Sequence, residues 1–315
     1  MRRVALIYNP ASGQHPNGYA PSIEAALAVL RESGINADVR PTSGPGTAGL
    51  LAYQAMQDGC DTVLACGGDG TVNEVLQSLV GTVAALGVVP MGTANALAAD
   101  LGLSAPPARA VRALLTASPT RIPVGRVFFT SHDGERNSRY FTVAAGIGAD
   151  GAFFYRLDTQ LKRRFGYAAY FVNAMHIWAT HSFPLFKAAI VSGDKSAPRT
   201  EEVSQLLAVR IGNFGGMVHN LVPGAALSNP RLRLVAFKTR SRLRYLRFMA
   251  AVWFRRHTYS HEIESIEAVS VECSVRDSSA TRIYVEADGE LLGSLPVTIE
   301  IVPDALTLLI PERGA

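Results

Sequence analysis

Residues 61–75 read DTVLACGGDGTVNEV, an apolar run that leads into a turn with three glycines. DTVLAC is typical of a buried strand, and TVNEV begins a helical pattern. Glycines let the backbone approach an anion closely, and the N–H groups at a helix N-terminus favour phosphate. The stretch therefore predicts a strand, a phosphate-binding turn and a helix in immediate succession.

Acids take the place of the lysine that usually accompanies such a turn, since the nearest lysine downstream is Lys162. Asp69 would repel a bare phosphate, so we expect it to face Mg²⁺ or a water bound to Mg²⁺. Thr71 and Glu74 have the Thr-x-x-Glu spacing of a capping box that starts the helix. The alternative is a plain Asp-Gly turn without a ligand.

Strand-like and helical stretches alternate throughout residues 1–126. The strand-like runs are RRVALIY, NADVRPT, DTVLAC and AALGVVP, and a helical pattern follows each of them. Such alternation is typical of parallel strands in an open sheet, where ligands bind beyond the carboxyl ends of the strands. The sequence predicts an N-terminal doubly wound α/β nucleotide-binding domain.

After residue 126 the chain changes to short β-type runs separated by turns, with helical stretches only near 159–178 and 241–256. This pattern predicts an antiparallel β-sandwich over residues 127–302. The predicted fold class is therefore α/β followed by β. The C-terminal tail, residues 303–315, is a candidate to pack back on the first domain.

The composition and the apolar segments indicate the cellular compartment of the protein. The chain has 315 residues, of which 48% are hydrophobic, and a formal net charge of +4. Three cysteines fit neither a disulfide framework nor a CxxC metal site, and the N-terminus has no signal-peptide pattern. The apolar stretch 165–186 contains an asparagine and two histidines, which favours a buried or interfacial segment over a membrane span. We expect a cytoplasmic protein.

Residues 203–261 contain no Asp or Glu but ten Arg and Lys residues. Within them SRLRYLRFMAAVWFRR, residues 241–256, mixes arginines with aromatic and aliphatic side chains on a helical pattern. This mixture favours an anionic lipid surface, and the charge alone would also suit nucleic acid. A solvated helix with one core face is an equal alternative.

Two further loops follow strands in the first half, NPASG at residues 9–13 and MGTANALAADLG at residues 91–102. In the second half, VEADGELLG at residues 285–293 carries Asp288 and Glu290 around a glycine. The two carboxylates would share a face in an extended strand, and a turn would point them differently. A carboxylate here is suited to take the hydroxyl proton of an acceptor in phosphoryl transfer, and an inert hairpin tip is the alternative.

Other motifs are excluded. GIGADG at residues 146–151 matches a dinucleotide turn, but no acid lies between Asp158 and Asp194 to bind a ribose. His257 and His261 have no third metal ligand placed with them. The sequence contains neither the P-loop motif nor the nucleophile-elbow motif.

Together and in this order, the motifs resemble the diacylglycerol kinase catalytic family, in particular its bacterial soluble lipid kinases, with sphingosine and ceramide kinases as relatives. NPASG is similar to the family's nucleotide turn, GGDGTVNEV to its signature, and PMGTANALAADLG to its Gly-Thr-x-Asn motif. YFTVAAGIGADGAF and LKRRFGYAAY resemble its lipid-side segments, and VPGAALSNPRLRLV and VEADGELLG its later motifs. The resemblance runs essentially from end to end.

The resemblance implies an ATP- and Mg²⁺-dependent kinase that phosphorylates a hydroxyl of diacylglycerol or a related long-chain lipid. By position, Asp69 belongs to a Mg²⁺–water network, and Asp150 contacts the lipid head group. Glu290, with Asp288 beside it, is the catalytic base. The residues expected around ATP are Asn9, Pro10, Ala11, Ser12, Gly13, Thr42, Gly67, Gly68, Asp69, Gly70, Thr71, Val72, Asn73 and Thr93.

Two positions depart from the family pattern. Ala96 stands where the family usually has an aspartate of the metal–water network, and because sphingosine and ceramide kinases share this departure, the substrate class stays open. The family's Leu-Asp-Asp-Gly-Leu segment holds a structural Mg²⁺ in bacterial members and appears here as LSNPR, residues 227–231. With Asn229 in place of an acid, we expect no structural Mg²⁺ near Leu227, Asn229 and Leu232.

The expected partners are the lipid substrate and an anionic membrane surface, without nucleic acid, and the expected location is peripheral at the inner membrane face. A homodimer is one alternative for the oligomeric state. The other functional hypotheses are a catalytically weak lipid-binding or regulatory protein of the same fold and a sphingoid or ceramide-type kinase. A kinase for a soluble substrate is a further alternative, because NAD kinases have a similar GGDGT loop.

Overall fold

The computed structural model divides the chain into two units. Unit 1 comprises Met1–Pro123 and Pro303–Ala315, and unit 2 comprises Val124–Val302. The residues that the structure describes are 1–10, 20–103, 106–131, 134–156, 175–193, 197–215, 221–254, 256, 258–276 and 282–312.

Unit 1 is a parallel sheet with helices. Its strands are β1 (Val4–Tyr8), β2 (Asp38–Pro41), β3 (Thr62–Gly67) and β4 (Ala85–Pro90). Its helices are α1 (Ala20–Glu32), α2 (Thr47–Gln57), α3 (Asp69–Leu79), α4 (Ala96–Asp100) and α5 (Pro107–Leu115). The strand order is β4–β3–β1–β2 with every pairing parallel, which confirms the predicted doubly wound α/β domain.

Unit 2 is built from antiparallel strands. The remaining strands in chain order are β5 (Ser118–Thr130), β6 (Arg136–Phe141), β7 (Ala144–Gly148), β8 (Phe186–Val191), β9 (Arg199–Val203), β10 (Gln205–Val209), β11 (Leu232–Phe237), β12 (Ile263–Ala268), β13 (Ser270–Val275), β14 (Tyr284–Ala287) and β15 (Glu290–Ile310). Its helices are α6 (Ala149–Arg156) and α7 (Arg242–Trp253), and residues 175–180 are also helical. Within the described ranges, no helix is long and apolar enough to cross a membrane.

The strands of unit 2 form a sandwich. One layer has the order β12–β11–β10–β7–β14–β15, and β15 also pairs with β13, which continues through β8 to β9. The two groups of strands share one buried cluster, which includes Ile147 of β7, Val285 of β14, Val271 of β13 and Ile299 of β15. The predicted second domain, a β-sandwich, is confirmed. The last residues of β15 belong to unit 1, where Thr307 pairs with Ala85 of β4.

The sequence patterns missed several elements of unit 2. β9 reads RTEEV and hides only Val203 completely, because its other side chains point to solvent and form ion pairs such as Lys238–Glu201. β12 and α6 were not predicted, and GIGADG comprises the end of β7 and the start of α6. Most of the helical stretch predicted at 159–178 lies outside the described residues. The helix predicted at 241–256 is α7.

The capping box predicted at Thr71 and Glu74 is wrong. Helix α3 begins at Asp69, two residues earlier, and its N-cap is Gly68, which makes no side-chain capping bond. The Glu74 carboxylate instead accepts the backbone N–H groups of Gly46 (2.7 Å) and Ala48 (3.0 Å) at the start of α2. Glu74 therefore caps a neighbouring helix, since a carboxylate satisfies the amides that a helix N-terminus leaves without intrahelical acceptors.

We expect Glu74→Ala to lower the free energy of unfolding by about 1–2 kcal/mol, because both amides lose their acceptor. Urea denaturation of the full chain measures the change. The control is Glu24→Ala on α1, where an exposed 3.5 Å pair with Arg31 is lost and less than about 1 kcal/mol is expected. Equal effects of the two substitutions would contradict the capping role.

Candidate active site

The carboxyl ends of the parallel strands bring several predicted ATP residues to one edge of unit 1. Thr42 donates its N–H to Tyr8 O (2.8 Å), and Asn9 donates to Cys66 O (3.3 Å). Met91 donates to Gly67 O (2.8 Å). The loops after β1, β2, β3 and β4 therefore lie side by side, where open α/β sheets bind ligands. Residues 11–13 of the predicted set lie outside the described residues.

Close backbone contact explains the glycines of these loops. A Cβ atom on Gly92 would lie 2.5 Å from Gly68 Cα, so the turn after β3 and the turn after β4 touch through their backbones. A Cβ atom on Gly67 would lie 2.5 Å from the Thr71 hydroxyl oxygen. A side chain at Gly92 would push the two turns apart, and one at Gly67 would displace the Thr71 side chain. The turns form a surface of exposed backbone suited to a phosphate chain.

The carboxylate of Asp69 joins the two turns. Its Oδ2 accepts the N–H of Asn95 (2.9 Å), and its Oδ1 accepts the N–H of Ala96 (2.7 Å). Asp69 therefore stabilises the backbone of the turn after β4. The sequence did not indicate this role. Each carboxylate oxygen has more than one acceptor position, so water-mediated contact of Asp69 with Mg²⁺ stays a prediction.

Asn95 organises the second turn. It lies in the left-handed region (φ 51°), which asparagine tolerates better than most residues. Its Oδ1 accepts the N–H of Gly92 (2.9 Å), and its Nδ2 donates to Gly92 O (2.8 Å). Thr93 is exposed at the tip of this turn. Asn95 was absent from the predicted site, although the Gly-Thr-x-Asn motif contains it.

In unit 2, Asp288 and Gly289 form a two-residue hairpin turn between β14 and β15. Both residues have positive φ (48° and 83°), as a type I′ turn requires, and Ala287 pairs with Glu290 across it. The chain is therefore not extended here. Asp288 and Glu290 do not share a strand face and have different partners.

The Asp288 carboxylate is bound by three consecutive backbone N–H groups between β6 and β7. Oδ2 accepts from Thr142 (3.0 Å), and Oδ1 accepts from Val143 (2.9 Å) and Ala144 (3.1 Å). In return, the Asp288 N–H donates to Ala144 O (2.9 Å). The hydrogen bonds make Asp288 an anchor of the hairpin.

Glu290 is the accessible carboxylate of the hairpin. Its side chain is 36% exposed and accepts a hydrogen bond from the guanidinium of Arg139 on β6. The Arg139 side chain is 25% exposed. This ion pair holds Glu290 at the surface of the hairpin. The sequence did not single out Arg139, because its partner lies 151 positions away.

Asp150, the predicted lipid contact, lies in the first turn of α6. Its side chain hydrogen-bonds to Glu286 of β14, an acid that the sequence did not indicate. Burial raises the pKa of Asp150, and burial together with the neighbouring acid raises the pKa of Glu286 well above its ordinary value. The lipid-side prediction thus falls on a pair of carboxyl groups in contact, of which Glu286 is buried and Asp150 is half-buried.

The segment 227–231, where we expect no structural Mg²⁺, binds a cationic side chain of the protein. Arg210 is 1% exposed, and its guanidinium donates to the carbonyls of Leu227 (2.8 Å), Asn229 (2.7 Å) and Arg231 (2.8 Å). Burial lowers the pKa of Arg210 to about 10, so it stays charged at neutral pH. Leu232 is part of β11. These carbonyls already bind a cation, and the segment does not fit a structural Mg²⁺.

Comparisons with known proteins agree with this arrangement. The family model described as diacylglycerol kinase catalytic domain matches residues 3–127, and the one described as YegS C-terminal NAD kinase beta sandwich-like domain matches residues 142–310. The two matches define the class, a lipid kinase with an α/β domain and a β-sandwich domain. The chain belongs to the diacylglycerol kinase catalytic-domain family.

Relatives of similar length support the assignment. The diacylglycerol kinase of Mycobacterium tuberculosis is 28% identical, with 99% of this chain and 96% of the relative covered. That of Bacillus subtilis is 25% identical, with 94% and 92% covered. A crystal structure of a diacylglycerol kinase from Bacillus anthracis has a TM-score of 0.71 at 17% identity and 99% and 98% coverage, which shows the shared fold. Yeast NADH kinase complexed with NADH has a TM-score of 0.50 at 10% identity, with 99% and 84% covered.

Chelation and the loss of Arg210 should have different effects on stability. We expect EDTA to leave thermal unfolding of the full chain unchanged, because a guanidinium supplies the charge at residues 227–231. Arg210→Met should lower the free energy of unfolding by about 3 kcal/mol or more, because it leaves buried carbonyls without donors. Differential scanning calorimetry measures both.

The matched control is Arg231→Met, which removes an exposed guanidinium that donates to Ser192 O, and it should cost less than about 1 kcal/mol. A fall in the melting temperature of the unsubstituted chain on chelation would show that a metal stabilises the fold after all.

Proposed function

We propose that the chain transfers the γ-phosphoryl group of ATP, in a Mg²⁺-dependent reaction, to a hydroxyl of diacylglycerol or a related long-chain lipid at the inner membrane surface. The observation that carries the proposal is the hairpin turn, in which three amides fix Asp288 and leave Glu290 accessible. The names of the curated relatives support diacylglycerol as the acceptor.

The proposed reaction assigns a separate task to each unit. The turns joined by Asp69 would hold the phosphate chain through backbone N–H groups and the N-terminus of α3. Glu290 would take the hydroxyl proton as the acceptor oxygen bonds to phosphorus and the bond to ADP breaks. Arg139 would keep Glu290 oriented before the transfer. Catalysis by positioning and charge needs no covalent intermediate on the protein.

Mg²⁺ bound with ATP would neutralise charge on the phosphates. Among the described residues, no three His, Cys, Asp or Glu side chains are grouped so that they could hold a metal. Mg²⁺ at a nucleotide needs only one or two carboxylates, because phosphates and waters complete its coordination. Asp69 would contact Mg²⁺ through a water molecule. It would orient that water while its carboxylate keeps the two turns together.

Helix α7 supports action at a membrane. Tyr245, Phe248 and Val252 are buried on one face, while Leu243, Leu246 and Met249 are 62%, 41% and 49% exposed. The exposed apolar side chains recur three residues apart, so they form one stripe along the helix. The same helix carries Arg242, Arg244 and Arg247, and Arg240 directly precedes its N-cap. Exposed apolar groups flanked by cations suit a bilayer with anionic lipid.

The function is tested with ATP, Mg²⁺ and a panel of diacylglycerol, sphingoid, ceramide and NAD acceptors, read by mass spectrometry. We expect a phosphorylated diacylglycerol or related lipid. Glu290→Gln should lower kcat by about 10²–10⁴-fold, with little change in KM for ATP, because the base is lost while the nucleotide loops are untouched. Glu300→Gln is the matched control, since Glu300 also lies on β15 and binds an arginine, Arg126.

The other outcomes decide between the remaining functions. A phosphorylated sphingoid base or ceramide alone would assign the acceptor to that class. Lipid binding without any phosphorylated lipid would support a regulatory protein, and phosphorylated NAD alone would support a soluble-substrate kinase. Near-normal turnover of Glu290→Gln would end its assignment as the base.

Membrane contact is tested by co-sedimentation with vesicles that contain phosphatidylglycerol. The double substitution Leu246→Glu and Met249→Glu should weaken binding about tenfold or more, because it replaces apolar contacts with charge that anionic lipid repels. Leu50→Glu with Tyr53→Glu on α2 is the matched control, since both side chains are more than half exposed, at 57% and 53%. Equal loss in both double variants would contradict docking through α7.

A further inference from the structure

Glu286 is the most enclosed acid near the proposed lipid site. It lies on β14, only two positions before the anchored Asp288, and is 2% exposed. Its Oε2 accepts the N–H of Gly289 (2.9 Å), the second residue of the hairpin turn. Because Gly289 directly precedes Glu290, one oxygen of Glu286 supports the backbone that carries the proposed base.

The other oxygen of Glu286 faces Asp150. A Cβ atom on Gly146 of β7 would overlap the Asp150 carboxylate and come within 2.8 Å of Glu286 Oε1. Both carboxyl groups therefore lie over the same glycine, in space that any side chain at position 146 would fill. The hydrogen bond between Asp150 and Glu286 joins α6 to β14 at this point.

Glu286 is buried and Asp150 is half-buried beside it. Two carboxyl groups in contact repel each other when both are ionised, so the pair shares a proton. Among the described residues, the charges that raise the pKa of Glu286 are those of Asp150 of α6 and Asp288 of the turn, and both are acids. β7 and its neighbour β10 have no ionisable side chain. Burial and the charge of Asp150 raise the pKa of Glu286. Glu286 therefore holds the proton and donates a hydrogen bond to the Asp150 carboxylate.

We propose that Glu286, as a neutral acid, is a positioning residue for the acceptor side of the reaction. Its O–H orients the ionised Asp150 carboxylate, and its carbonyl oxygen holds the turn that carries Glu290. The acceptor hydroxyl then meets one fixed carboxylate at Asp150 and one at Glu290. This inference rests on the proposed kinase function and adds a residue and a protonation state to it.

Glu286→Gln reproduces the neutral acid, because its amide N–H can donate to Asp150 and its oxygen can accept from Gly289. Glu286→Ala removes both bonds. We expect Gln to retain most of the kcat/KM for the lipid and Ala to lose about tenfold or more, the effect of removing a buried hydrogen-bond partner. Equal losses in the two variants would overturn the inference.

The pH profile separates positioning from a merely structural role. Above the raised pKa, Glu286 loses its proton and repels Asp150, so kcat/KM of the unsubstituted chain should fall on the alkaline side. Glu286→Gln cannot lose that proton, and the fall should shift to higher pH or disappear. An alkaline fall that is the same in both proteins would contradict the assignment.

Thermal unfolding gives a reading that needs no activity. The native chain keeps a proton on Glu286 that the unfolded chain releases above a pKa of about 4.3, so native stability falls as pH rises above this value. The melting temperature of Glu286→Gln minus that of the unsubstituted chain should therefore grow between pH 5 and pH 8. Glu272→Gln, an exposed glutamate on β13, should show no such growth.

The failures are distinguishable. A melting-temperature difference that stays flat with pH overturns the neutral state of Glu286, whatever the kinetics show. If the unsubstituted chain makes no phosphorylated lipid but the difference grows, the proton assignment stands and the proposed function fails.

Discussion

The hydrogen bonds from Asn95 and Ala96 to the Asp69 carboxylate are the interaction on which the nucleotide side depends. They join two turns that follow neighbouring parallel strands, and Gly68 and Gly92 allow those turns to touch. A lysine in place of Asp69 could bind phosphate but could not accept these amides. The acid in the turn therefore shapes the backbone surface that would receive the phosphates.

Carboxylates that accept backbone N–H groups also stabilise unit 2. Asp288 accepts three amides between β6 and β7, and Glu286 accepts one amide of the hairpin turn. Glu290 differs from both because its partner is a guanidinium and more than a third of its side chain is exposed. The acids of the lipid side thus divide into those that hold backbone and the one that is placed to react. Arg210 shows the complementary case, in which a buried cation binds backbone carbonyls.

Periodicity predicted the elements whose signal is local, such as β3, α3 and the helix α7. It missed β9, whose charged side chains hide the alternation. The Thr-x-x-Glu spacing predicted that Glu74 caps its own helix, α3, whereas Glu74 caps α2, because Gly46 and Ala48 lie more than 25 positions away. Motifs predicted Asp69, Asp288 and Glu290 as site residues. Their partners could not be predicted, since each bond joins strands or loops distant in sequence.

The most direct measurement is the affinity for ATP in EDTA, by calorimetry, of the unsubstituted chain and of Asp69→Ala. If Asp69 shapes the phosphate surface through backbone amides, the substitution should weaken binding about tenfold without any metal, the equivalent of one charged hydrogen bond. Asp69→Asn, which keeps one acceptor oxygen, should lie between the two. Equal affinities in EDTA, with a loss only when Mg²⁺ is present, would show that Asp69 acts through the metal alone and would contradict this account.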